Sequence, residues 1–540
     1  MPLIEQEQAK EFRIFERSGK MRVISNLFEE QETLFRNTKE EIKNVYLSDD
    51  RPWVIGYSGG KDSTAVVQLV FEALSELDRN LLTKKVYVIA SDTLVETPLI
   101  VQSINTTLRR IEKKAIELGL PFETHKVKPL IEQSFWVNII GRGYPLPNQQ
   151  FRWCTDRMKI DPSNRFIMDK VNSFGEVIML LGVREKESKT RANVIKSHST
   201  DGKVLMKHST LPNAYVYAPI KNFDVDDVWN YLLNNESPWG DDNYELYRLY
   251  SDSNSGECPL IVDKTIKETA GSCGNSRFGC WVCTVVEEDK ALSGFIQSGH
   301  DWMKPLLAFR NWLANIRDDR TMRMKYRNNG QIYLLKVNQL EDKGKQWIFL
   351  PKKGNREPQR IPLDKFTIIK RNELNDYIKR HNIDLSTSED PKILIEDEDG
   401  NLYRLGLGPF TLEARKEILE RLLKLQKSIK HPYEDNYELI QVEELKEIRR
   451  IWFYSGDFED SLPKIYRKVY GHDLDWETDE HLLFDEEDLT QLEMTCKEYD
   501  LDFRLMKKLL IIEKQYSGYK LRRGIMDKLS SALIQDYLYL

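Results

Sequence analysis

The chain has 540 residues, of which 40% are apolar and 31% charged, and its formal net charge is −6 at pH 7. This length predicts two to four domains, and the composition excludes a disordered chain. No apolar run approaches the roughly 18 residues that cross a bilayer, and the N-terminal stretch lacks the apolar centre of a signal peptide. We therefore expect a cytoplasmic protein with no membrane partner. The acidic balance excludes a chain that coats nucleic acid over its whole surface.

The first half of the chain alternates short apolar runs with amphipathic stretches. Residues 1–50 predict helix, because single apolar positions recur among charges. Four short runs then predict strands: WVIGY (53–57), VYVIAS (86–91), FETHKV (122–127) and EVIMLLGV (176–183), of which the last is a continuous apolar run of the kind buried on both faces. Helical patterns follow the first run, in DSTAVVQLVFEALSEL, and the second, at 98–118. This alternation predicts an α/β fold in which a parallel sheet carries helices on both faces.

The second half loses this alternation. In a charged region at 311–405, the runs QIYLLKV, QWIFL and ILIEDE predict short strands. From about Thr411 onward, stretches such as LEARKEILERLLKLQKSI and FRLMKKLLIIEKQY predict helices. We therefore divide the chain into a helical segment 1–50, an α/β domain 51–255, a cysteine-rich segment 256–310, a mixed region 311–405 and a helical C-terminal domain 406–540.

The loop after the first strand is a candidate phosphate site. It reads Ser58-Gly59-Gly60-Lys61-Asp62-Ser63 and runs into a helix. The glycines allow a tight turn and a close approach, the serine hydroxyls add donors, and the start of the helix offers N–H groups and a favourable dipole. In the Walker loop a Ser or Thr follows the lysine to hold magnesium, whereas here Asp62 follows Lys61. An ordinary glycine-rich turn is the alternative.

Polar side chains also follow the other strands, where an open α/β sheet presents its ligand contacts. Asp92 ends the second apolar run. Arg184, Ser188 and Arg191 follow the fourth run and are candidates for phosphate contacts at the same edge. Further along, Asp224 is predicted to cap the helix of VDDVWNYL.

A single cysteine, Cys154, lies in RWCTDRMKIDP among Arg152, Arg157 and Lys159. A thiol among cations more often exists as the thiolate, which is the form that attacks or carries sulfur. Cysteine is also a common small core residue. The cationic neighbours favour a reactive cysteine, and they make Arg152 and Lys159 candidate contacts for a substrate phosphate.

Four of the six cysteines form a cluster with the spacing Cys258-x14-Cys273-x6-Cys280-x2-Cys283. In a reducing cytosol such clustering indicates metal chemistry and not a disulfide framework. Four thiolates bind either tetrahedral zinc or an iron–sulfur cluster. All-cysteine zinc sites usually pair two C-x-x-C knuckles. This chain has one such knuckle and two spread-out cysteines, which suits a 4Fe–4S cluster.

The loop resembles the PP-loop of the ATP pyrophosphatases, which share an adenine nucleotide α-hydrolase-like fold and cleave ATP between its α and β phosphates. The resemblance implies a site for ATP and Mg²⁺ in which Lys61 and Asp62 act in catalysis. It implies that the following residues bind ATP and its pyrophosphate: Ser58, Gly59, Gly60, Lys61, Asp62, Ser63 and Asp92. With Asp92-Thr93, the Arg184 segment and the DVW helix, the chain is similar to the phosphoadenylylsulfate reductase branch of this family.

Two departures from that branch count against sulfate-ester reduction. Trp153-Cys154 stands where the iron–sulfur reductases have a Cys-Cys pair. The thioredoxin-linked reductases end with a catalytic cysteine followed by Gly and His, whereas the last cysteine here, Cys496, lies on a helical pattern. Cys496 is therefore predicted to be structural.

The ordered set SGGKDS, RWCTDRMKIDP, GVREKES, DVW and C-W-V-C also resembles the DndC-type sulfurtransferases of bacterial DNA phosphorothioation, over roughly residues 25–310. These enzymes belong to DNA modification and restriction systems. The resemblance implies that Cys258, Cys273, Cys280 and Cys283 ligate a 4Fe–4S cluster and that a DNA backbone phosphate is the acceptor. It also implies two kinds of partner, a cysteine desulfurase that donates sulfur and further DNA phosphorothioation subunits. Cys154 is the candidate sulfur carrier, and the cluster either supplies sulfur or holds the fold together.

Three alternatives stay open at this point: a reductase of adenylylated sulfate, a thiolation enzyme for tRNA bases, and a nucleotide-sensing DNA-binding subunit without chemistry. Basic stretches with aromatic residues at 317–327 and 343–360 suit a phosphate backbone, although solvated surface charge explains each of them as well. The intact Asp62, Ser63 and Cys154 favour an enzyme.

Overall fold

The structure is a computed structural model in which two compact units are present. It describes residues 20–185, 204–253 and 279–534, apart from gaps at 209, 328–330, 343, 350–359, 382, 384, 386–389, 433, 435–436, 456, 458, 477–485, 517–521 and 523. The first unit consists of Met1–Pro129, Cys154–Cys280 and Lys290–Ser298. The second consists of Leu130–Trp153, Trp281–Asp289 and Gly299–Leu540. The five-part division drawn from the sequence stays a prediction.

The first unit contains one six-stranded sheet. Its strands are β1 (Trp53–Gly56), β2 (Val86–Ser91), β3 (Phe122–Val127), β4 (Val177–Leu180), β5 (Met206–Lys207) and β6 (Ala214–Tyr217). They lie in the order β3-β2-β1-β4-β6-β5. All neighbouring pairs are parallel except β5 with β6. The predicted α/β fold with a mostly parallel sheet is therefore confirmed, and the four predicted strands form β1 to β4.

Helices cover both faces of this sheet. The described helices of the unit are α1 (Lys20–Leu47), α2 (Lys61–Ser75), α3 (Pro98–Leu118), α4 (Asp161–Phe174), α5 (Val225–Asn234), α6 (Asn243–Ser253) and α7 (Lys290–Gln297). On one face, the Tyr87 ring of β2 packs on Phe166 of α4, with ring centroids 5.9 Å apart. On the other, the Trp53 ring of β1 packs on Tyr46 of α1, with centroids 5.2 Å apart. Burial on both faces explains why β1, β2 and β4 are continuous apolar runs, whereas β3, at the edge of the sheet, is only partly buried and contains polar residues.

The order of the strands creates a crevice beside β1. The chain passes from β1 to β2 and β3 on one side of the sheet, and to β4 and β6 on the other. The loops that leave the carboxyl ends of β1 and β4 therefore diverge, and ligands of open α/β sheets bind at such switch points. The Ser58–Ser63 loop follows β1 and Arg184 follows β4, so two of the predicted site segments lie at this crevice.

Local signals in the sequence also set the helix ends. The carboxylate of Asp224 accepts a hydrogen bond from the N–H of Asp227 at 2.9 Å, and the Asp227 carboxylate accepts one from the N–H of Asp224 at 2.9 Å. This reciprocal capping box starts α5, as predicted for Asp224. In the second unit the Thr411 hydroxyl accepts a hydrogen bond from the N–H of Ala414 at 3.2 Å. A helix begins directly after Thr411, as the pattern predicts.

The second unit combines two small sheets with a run of helices. Its strands are β7 (Leu334–Lys336), β8 (Asn338–Asp342), β9 (Lys345–Phe349), β10 (Arg360–Pro362), β11 (Thr367–Lys370), β12 (Ile393–Glu396) and β13 (Leu402–Leu405). They form sheets of order β10-β9-β8 and β11-β12-β13-β7. The described helices are α8 (Lys304–Ile316), α9 (Leu374–Arg380), α10 (Leu412–Ser428), α11 (Val442–Tyr454), α12 (Ser461–Tyr470), α13 (Glu486–Glu498), α14 (Phe503–Tyr516) and α15 (Ile525–Ile534). The predicted change from short strands to helices is confirmed, and Cys496 is buried in α13.

Buried arginines hold the second unit together through main-chain carbonyls. The Arg310 side chain is fully buried and donates to the carbonyl of Cys283 at 2.8 Å and to that of Glu287 at 2.8 Å. Arg323 donates to the carbonyls of Gly408 and Arg317, each at 2.6 Å. Because a buried carbonyl without a donor is costly, each arginine fixes the segment it contacts.

None of the described helices combines the length and the apolar character that crossing a bilayer requires.

Candidate active site

The loop between β1 and α2 has the backbone geometry of a tight anion cradle. Gly59 has φ of +73°, and a Cβ added there would lie 2.8 Å from Cγ1 of Ile104. Only glycine fits this combination of a left-handed backbone and a close neighbour. The N–H of Thr64 donates to the carbonyl of Gly60 at 2.9 Å, which is the first hydrogen bond of α2. The amides before Thr64 belong to the helix N-terminus, where the helix dipole favours negative charge.

The two serines of the loop brace each other. The Ser58 N–H donates to Oγ of Ser63 at 3.2 Å, and the two hydroxyl oxygens lie 3.1 Å apart. The Ser63 hydroxyl donates in turn to the carbonyl of Gly60 at 2.9 Å. The serines, predicted as donors to a phosphate, also close the loop in this structure.

A carboxylate joins the two cations of the crevice. Nζ of Lys61 lies 2.7 Å from Oδ2 of Asp62, and Nε of Arg184 lies 2.6 Å from Oδ1 of the same carboxylate. Both cations are almost completely buried, with 2% and 1% of their side chains exposed. The structure therefore brings together Lys61 and Asp62, which follow β1, and Arg184, which follows β4, as the sequence predicted. An ammonium and a guanidinium at the start of a helix are the kinds of donor that bind a polyphosphate.

Gly182 makes this pairing possible. A Cβ at Gly182 would lie 2.9 Å from the carbonyl carbon and oxygen of Asp62. The chain leaving β4 therefore passes in contact with the first turn of α2, and it delivers Arg184 two residues later. In the sequence, Gly182 is recognisable only as the first residue of the GVREKES segment. That a glycine is required there for close approach becomes visible only in the structure, because the neighbour, Asp62, follows a different strand.

A tyrosine that sequence reasoning missed also contacts the loop. The hydroxyl of Tyr250, on α6, accepts a hydrogen bond from the N–H of Lys61 at 3.1 Å. Nζ of Lys61 lies 6.0 Å from the centroid of the Tyr250 ring. The available signal was a stripe of tyrosines on α6 at every third position, Tyr244, Tyr247 and Tyr250, which a core helix explains equally well.

Asp92 shapes the loop after β2. One of its carboxylate oxygens accepts a hydrogen bond from the N–H of Leu94 at 3.0 Å, and Leu94 has φ of +66°. Nζ of Lys126 and Nζ of Lys128 lie 3.9 and 3.8 Å from the other oxygen. Asp92 thus makes an Asx-type turn beside two lysines at the end of β3. Its predicted contact with ATP stays a prediction.

The same loop holds two other predicted residues. Nζ of Lys159 lies 3.1 Å from Oε1 of Glu96, and Glu96 forms an isolated β-bridge with Cys280. The Thr93 hydroxyl lies 3.4 Å from the sulfur of Cys280. Thr97 donates from its N–H and from its hydroxyl to the carbonyl of Gly279, at 3.0 and 2.7 Å. The segment after β2 therefore anchors both Lys159, a predicted phosphate contact, and Cys280, a predicted cluster ligand.

Cys154 is partly exposed in a short helical segment, Trp153–Thr155, which continues through a π-helical turn at Asp156–Ile160 into α4. Its position five residues before Lys159 places it on the chain segment that reaches Glu96. Arg152 belongs to the second unit, and its Nε is buried without a hydrogen-bond partner. The predicted roles of Cys154 and Arg152 stay predictions.

Two of the four clustered cysteines are described. Cys280 and Cys283 are both partly exposed, and desolvation raises the pKa of the Cys283 thiol. Thiol donors two residues apart fit a metal or an iron–sulfur cluster in their chemistry. Cys258 and Cys273 lie outside the described residues, as do the predicted phosphate contacts Ser188 and Arg191. Among the residues that are described, no three His, Cys, Asp or Glu side chains are grouped closely enough to hold a metal ion.

The basic stretch at 317–327 is packed inside the second unit. Arg317 donates to the carbonyl of Thr284 at 2.6 Å, and Lys325 donates to that of Arg320 at 3.0 Å. Burial lowers the pKa of Lys325 to about 8 and that of Arg323 to about 10. These cations serve the fold, so the suggestion that they track a phosphate backbone is wrong for Arg317, Arg323 and Lys325. In the second stretch, residues 350–359 lie outside the described part.

A family comparison agrees with this geometry. Residues 52–286 match the model of the phosphoadenosine phosphosulfate reductase domain. The matched segment contains the whole six-stranded sheet, the Ser58–Ser63 loop, Cys154 and Arg184. This segment, which is less than half of the chain, is therefore similar to the phosphoadenosine phosphosulfate reductase domain.

One relative shares part of the chain. An uncharacterized protein of Methanocaldococcus jannaschii is 25% identical over 252 residues. The alignment covers 47% of this chain and 40% of the relative, so the chain spans less than half the length of that protein.

Solved structures show only a distant similarity. A phosphoadenylyl-sulfate reductase from Candida auris is 16% identical with a TM-score of 0.25, over 38% of this chain and 86% of that one. The U34-tRNA thiolase NcsA from Methanococcus maripaludis, with its 4Fe–4S cluster, is 15% identical with a TM-score of 0.25, over 41% and 73%. An FMN adenylyltransferase from Candida glabrata is 14% identical with a TM-score of 0.24, over 37% and 58%. At these TM-scores no argument about activity rests on the similarity.

Proposed function

We propose that this chain is an ATP pyrophosphatase-type sulfurtransferase, which adenylylates a DNA backbone phosphate and replaces one of its non-bridging oxygens with sulfur. The observation that carries the proposal is the arrangement of the Ser58–Ser63 loop with Lys61, Asp62 and Arg184 at the switch point of the sheet. This arrangement puts two buried cations on one carboxylate in the first turn of α2, at the helix N-terminus. It suits the β and γ phosphates of ATP, which leave as pyrophosphate.

In the first step, a non-bridging oxygen of the DNA phosphodiester attacks the α phosphorus of ATP. The bond between the α phosphorus and the oxygen that bridges it to the β phosphate breaks, and pyrophosphate leaves. Mg²⁺, when bound with ATP, would neutralise part of the pyrophosphate charge. The loop amides, Lys61 and Arg184 stabilise the charge that develops on the leaving group. Because Asp62 holds both cations in place before ATP binds, little reorganisation is needed in the transition state.

In the second step, a sulfur nucleophile attacks the phosphorus of the adenylylated phosphodiester, and AMP leaves with the original oxygen. If the nucleophile is hydrosulfide, a phosphorothioate results directly. If it is a persulfide on Cys154, the sulfur–sulfur bond that remains is cleaved by a second thiol, which becomes part of a disulfide. Cys154 suits this role because it is partly exposed, lies on the segment that carries Lys159, and falls within the matched domain.

DNA as the acceptor and the iron–sulfur cluster rest on the ordered motifs of the sequence. The motif set joins the loop, the Cys154 segment, the arginine segment and the four cysteines in the order of the DndC-type family. Cys258, Cys273, Cys280 and Cys283 would hold the 4Fe–4S cluster, which would supply sulfur or fix the fold of this segment. A cysteine desulfurase as sulfur donor and further DNA phosphorothioation subunits as partners belong to the same proposal.

Mass spectrometry of nuclease-digested DNA tests the proposal. We expect phosphorothioate dinucleotides in DNA from cells that carry the wild-type chain with its partner genes, and none in cells with Lys61→Met. Cys154→Ser is expected to abolish them, whereas Cys496→Ser, a matched control at a buried cysteine on helix α13, is expected to leave them. Wild-type DNA without phosphorothioates contradicts the assignment of DNA as acceptor. Full modification in Cys154→Ser removes only the role of Cys154.

A reductase of adenylylated sulfate is the second candidate, because the family model that matches is named for such a reductase. The two functions separate in one assay. The reductase releases sulfite from phosphoadenylylsulfate in the presence of a thiol and leaves ATP intact. The sulfurtransferase produces AMP and pyrophosphate from ATP and leaves phosphoadenylylsulfate intact.

A further inference from the structure

Tyr250 lies on the anion-binding face of the Ser58–Ser63 loop. Its hydroxyl oxygen accepts a hydrogen bond from the N–H of Lys61, with 3.1 Å between the nitrogen and the oxygen. Lys61 is the first residue of α2, so this N–H is one of the helix N-terminal donors that have no partner within the helix. In a loop that binds phosphate, such a donor points at a phosphate oxygen. The tyrosine oxygen takes the place of that acceptor.

The tyrosine also fills the space that glycine leaves open. A Cβ added at Gly60 would lie 2.9 Å from the Tyr250 hydroxyl oxygen. Glycine in a phosphate loop lets the ligand approach the backbone closely. In this structure the Tyr250 hydroxyl lies in the space beside Gly60. A phosphate oxygen and the Tyr250 hydroxyl therefore compete for one donor and one volume.

The tyrosine is held on the loop by an aromatic contact within the same unit. The Trp229 ring of α5 packs edge-to-face against Tyr250, with centroids 5.2 Å apart. The same indole packs edge-to-face against Tyr247, one turn earlier on α6, also at 5.2 Å. Tyr247 is 44% exposed, and none of its described contacts reaches the loop. The two tyrosines thus share one anchor and differ in their contact with the loop.

We propose that Tyr250 is an autoinhibitory plug of the loop. Its hydroxyl occupies the position of a phosphate oxygen, and ATP or pyrophosphate binds only when Tyr250 withdraws. The inference rests on the proposed function of the loop as a polyphosphate site. It goes beyond that function because it makes the loop closed at rest, with α6 as the element that opens it.

Isothermal titration of the full chain with Mg²⁺–pyrophosphate tests the plug. Tyr250→Phe removes the competing oxygen and keeps the ring, so we expect it to bind pyrophosphate about 3- to 10-fold more tightly, the range expected for one lost hydrogen bond. Tyr250→Ala also clears the ring and is expected to bind still more tightly. Tyr247→Phe, the matched control, is expected to bind like the wild type. Unchanged or weaker binding by Tyr250→Phe overturns the plug, since weaker binding would mean that the hydroxyl contacts the bound phosphate.

Amide hydrogen exchange gives a second readout. Saturating pyrophosphate is expected to speed exchange in residues 243–253 of the wild type, because withdrawal of Tyr250 frees α6 from the loop. Exchange in α6 that slows or stays the same overturns the proposal. The Lys61→Met variant separates the two proposals. If the wild type binds pyrophosphate, Lys61→Met does not and Tyr250→Phe equals the wild type, then only the plug fails. If neither the wild type nor any Tyr250 variant binds pyrophosphate, both proposals fail.

Discussion

Two pairs of buried cations, one pair in each unit, contact different kinds of acceptor. In the first unit, Lys61 and Arg184 contact the carboxylate of Asp62 at the carboxyl edge of the sheet. In the second unit, Arg323 donates to the carbonyl of Gly408, and Arg415 donates to that of Gly141 at 2.6 Å. Burial lowers the pKa of Arg323 and of Arg415 to about 10.

The difference separates a binding site from a structural brace. Main-chain carbonyls are fixed parts of the fold, so an arginine that donates to them is held in one place and braces the segments that it joins. The Asp62 carboxylate resembles a phosphate oxygen in charge and geometry and lies at a helix N-terminus, so the cations that it holds in place are ready to contact a polyphosphate. We therefore expect substitutions of the first group to change activity and substitutions of the second group to change stability.

Lys61→Met is expected to have the largest effect. Loss of this cation removes charge stabilisation from the leaving pyrophosphate, so kcat/KM for ATP-dependent pyrophosphate release should fall about 100-fold or more. The midpoint of thermal unfolding should change little. Lys85→Met, which removes an exposed lysine of the same unit, serves as the control and should leave both quantities unchanged. Full activity in Lys61→Met would show that the loop is not the catalytic phosphate site.

Arg323→Met is expected to reverse this pattern. It leaves the carbonyls of Gly408 and Arg317 without their donor, and the free energy of unfolding should fall by about 3 kcal/mol. Pyrophosphate affinity per folded molecule should stay the same. Arg371→Met, at an exposed arginine of the same unit, should cost less than about 0.5 kcal/mol. If Arg323→Met and Arg371→Met unfold at similar midpoints, Arg323 does not stabilise the second unit in the way described.

Glu444 makes the second unit sensitive to pH. Its side chain is 1% exposed, and burial raises its pKa to about 7. The unfolded chain releases this proton at lower pH than the folded chain does, so stability is fully present below the unfolded pKa and is lost as the pH rises through the folded value. We expect the free energy of unfolding to fall by about 2 kcal/mol between pH 5 and pH 8.

Chemical denaturation at the two pH values measures this loss. Glu444→Gln should remove most of the dependence, since the amide stays neutral and still caps α11. Glu398→Gln, at an exposed position, should retain it. The assignment is contradicted if the free energy of unfolding of the wild type rises by about 2 kcal/mol from pH 5 to pH 8 and that of Glu444→Gln rises equally.

Arg184→Lys is expected to have the smallest effect. The ammonium keeps the positive charge beside Asp62 but loses the planar fork of the guanidinium, so pyrophosphate affinity should fall about 5-fold. Thermal unfolding should be nearly unchanged. A loss as large as that of Lys61→Met would mean that the geometry of the fork, and not its charge, dominates this contact.

The sequence predicts the centre of the sheet well because β1, β2 and β4 are buried on both faces and are therefore continuous apolar runs. The cap at Asp224 is predictable from the local sequence, since a cap and its partner lie three residues apart. β6 was not predicted, because the two central residues of AYVY are only partly buried and no continuous apolar run marks the strand.

The site is only partly predictable because its contacts join distant segments. The loop can be recognised from its strand–glycine–helix pattern, and Arg184 can be recognised as a cation that follows β4. Tyr250, however, contacts a residue 189 positions away, and nothing local distinguishes it from a core tyrosine. The stretch at 317–327 fails for the same reason. Its many cations predict a solvent-facing surface, whereas the structure buries several of them against main-chain carbonyls.

The central claim is that the loop directs cleavage between the α and β phosphates of ATP. The most direct test incubates the purified chain with DNA, Mg²⁺, a sulfur donor and ATP radiolabelled at the α phosphate, and then separates the nucleotide products. The account predicts labelled AMP with equimolar pyrophosphate, and loss of both in Lys61→Met. Labelled ADP with free phosphate, or AMP production that Lys61→Met does not reduce, would contradict it.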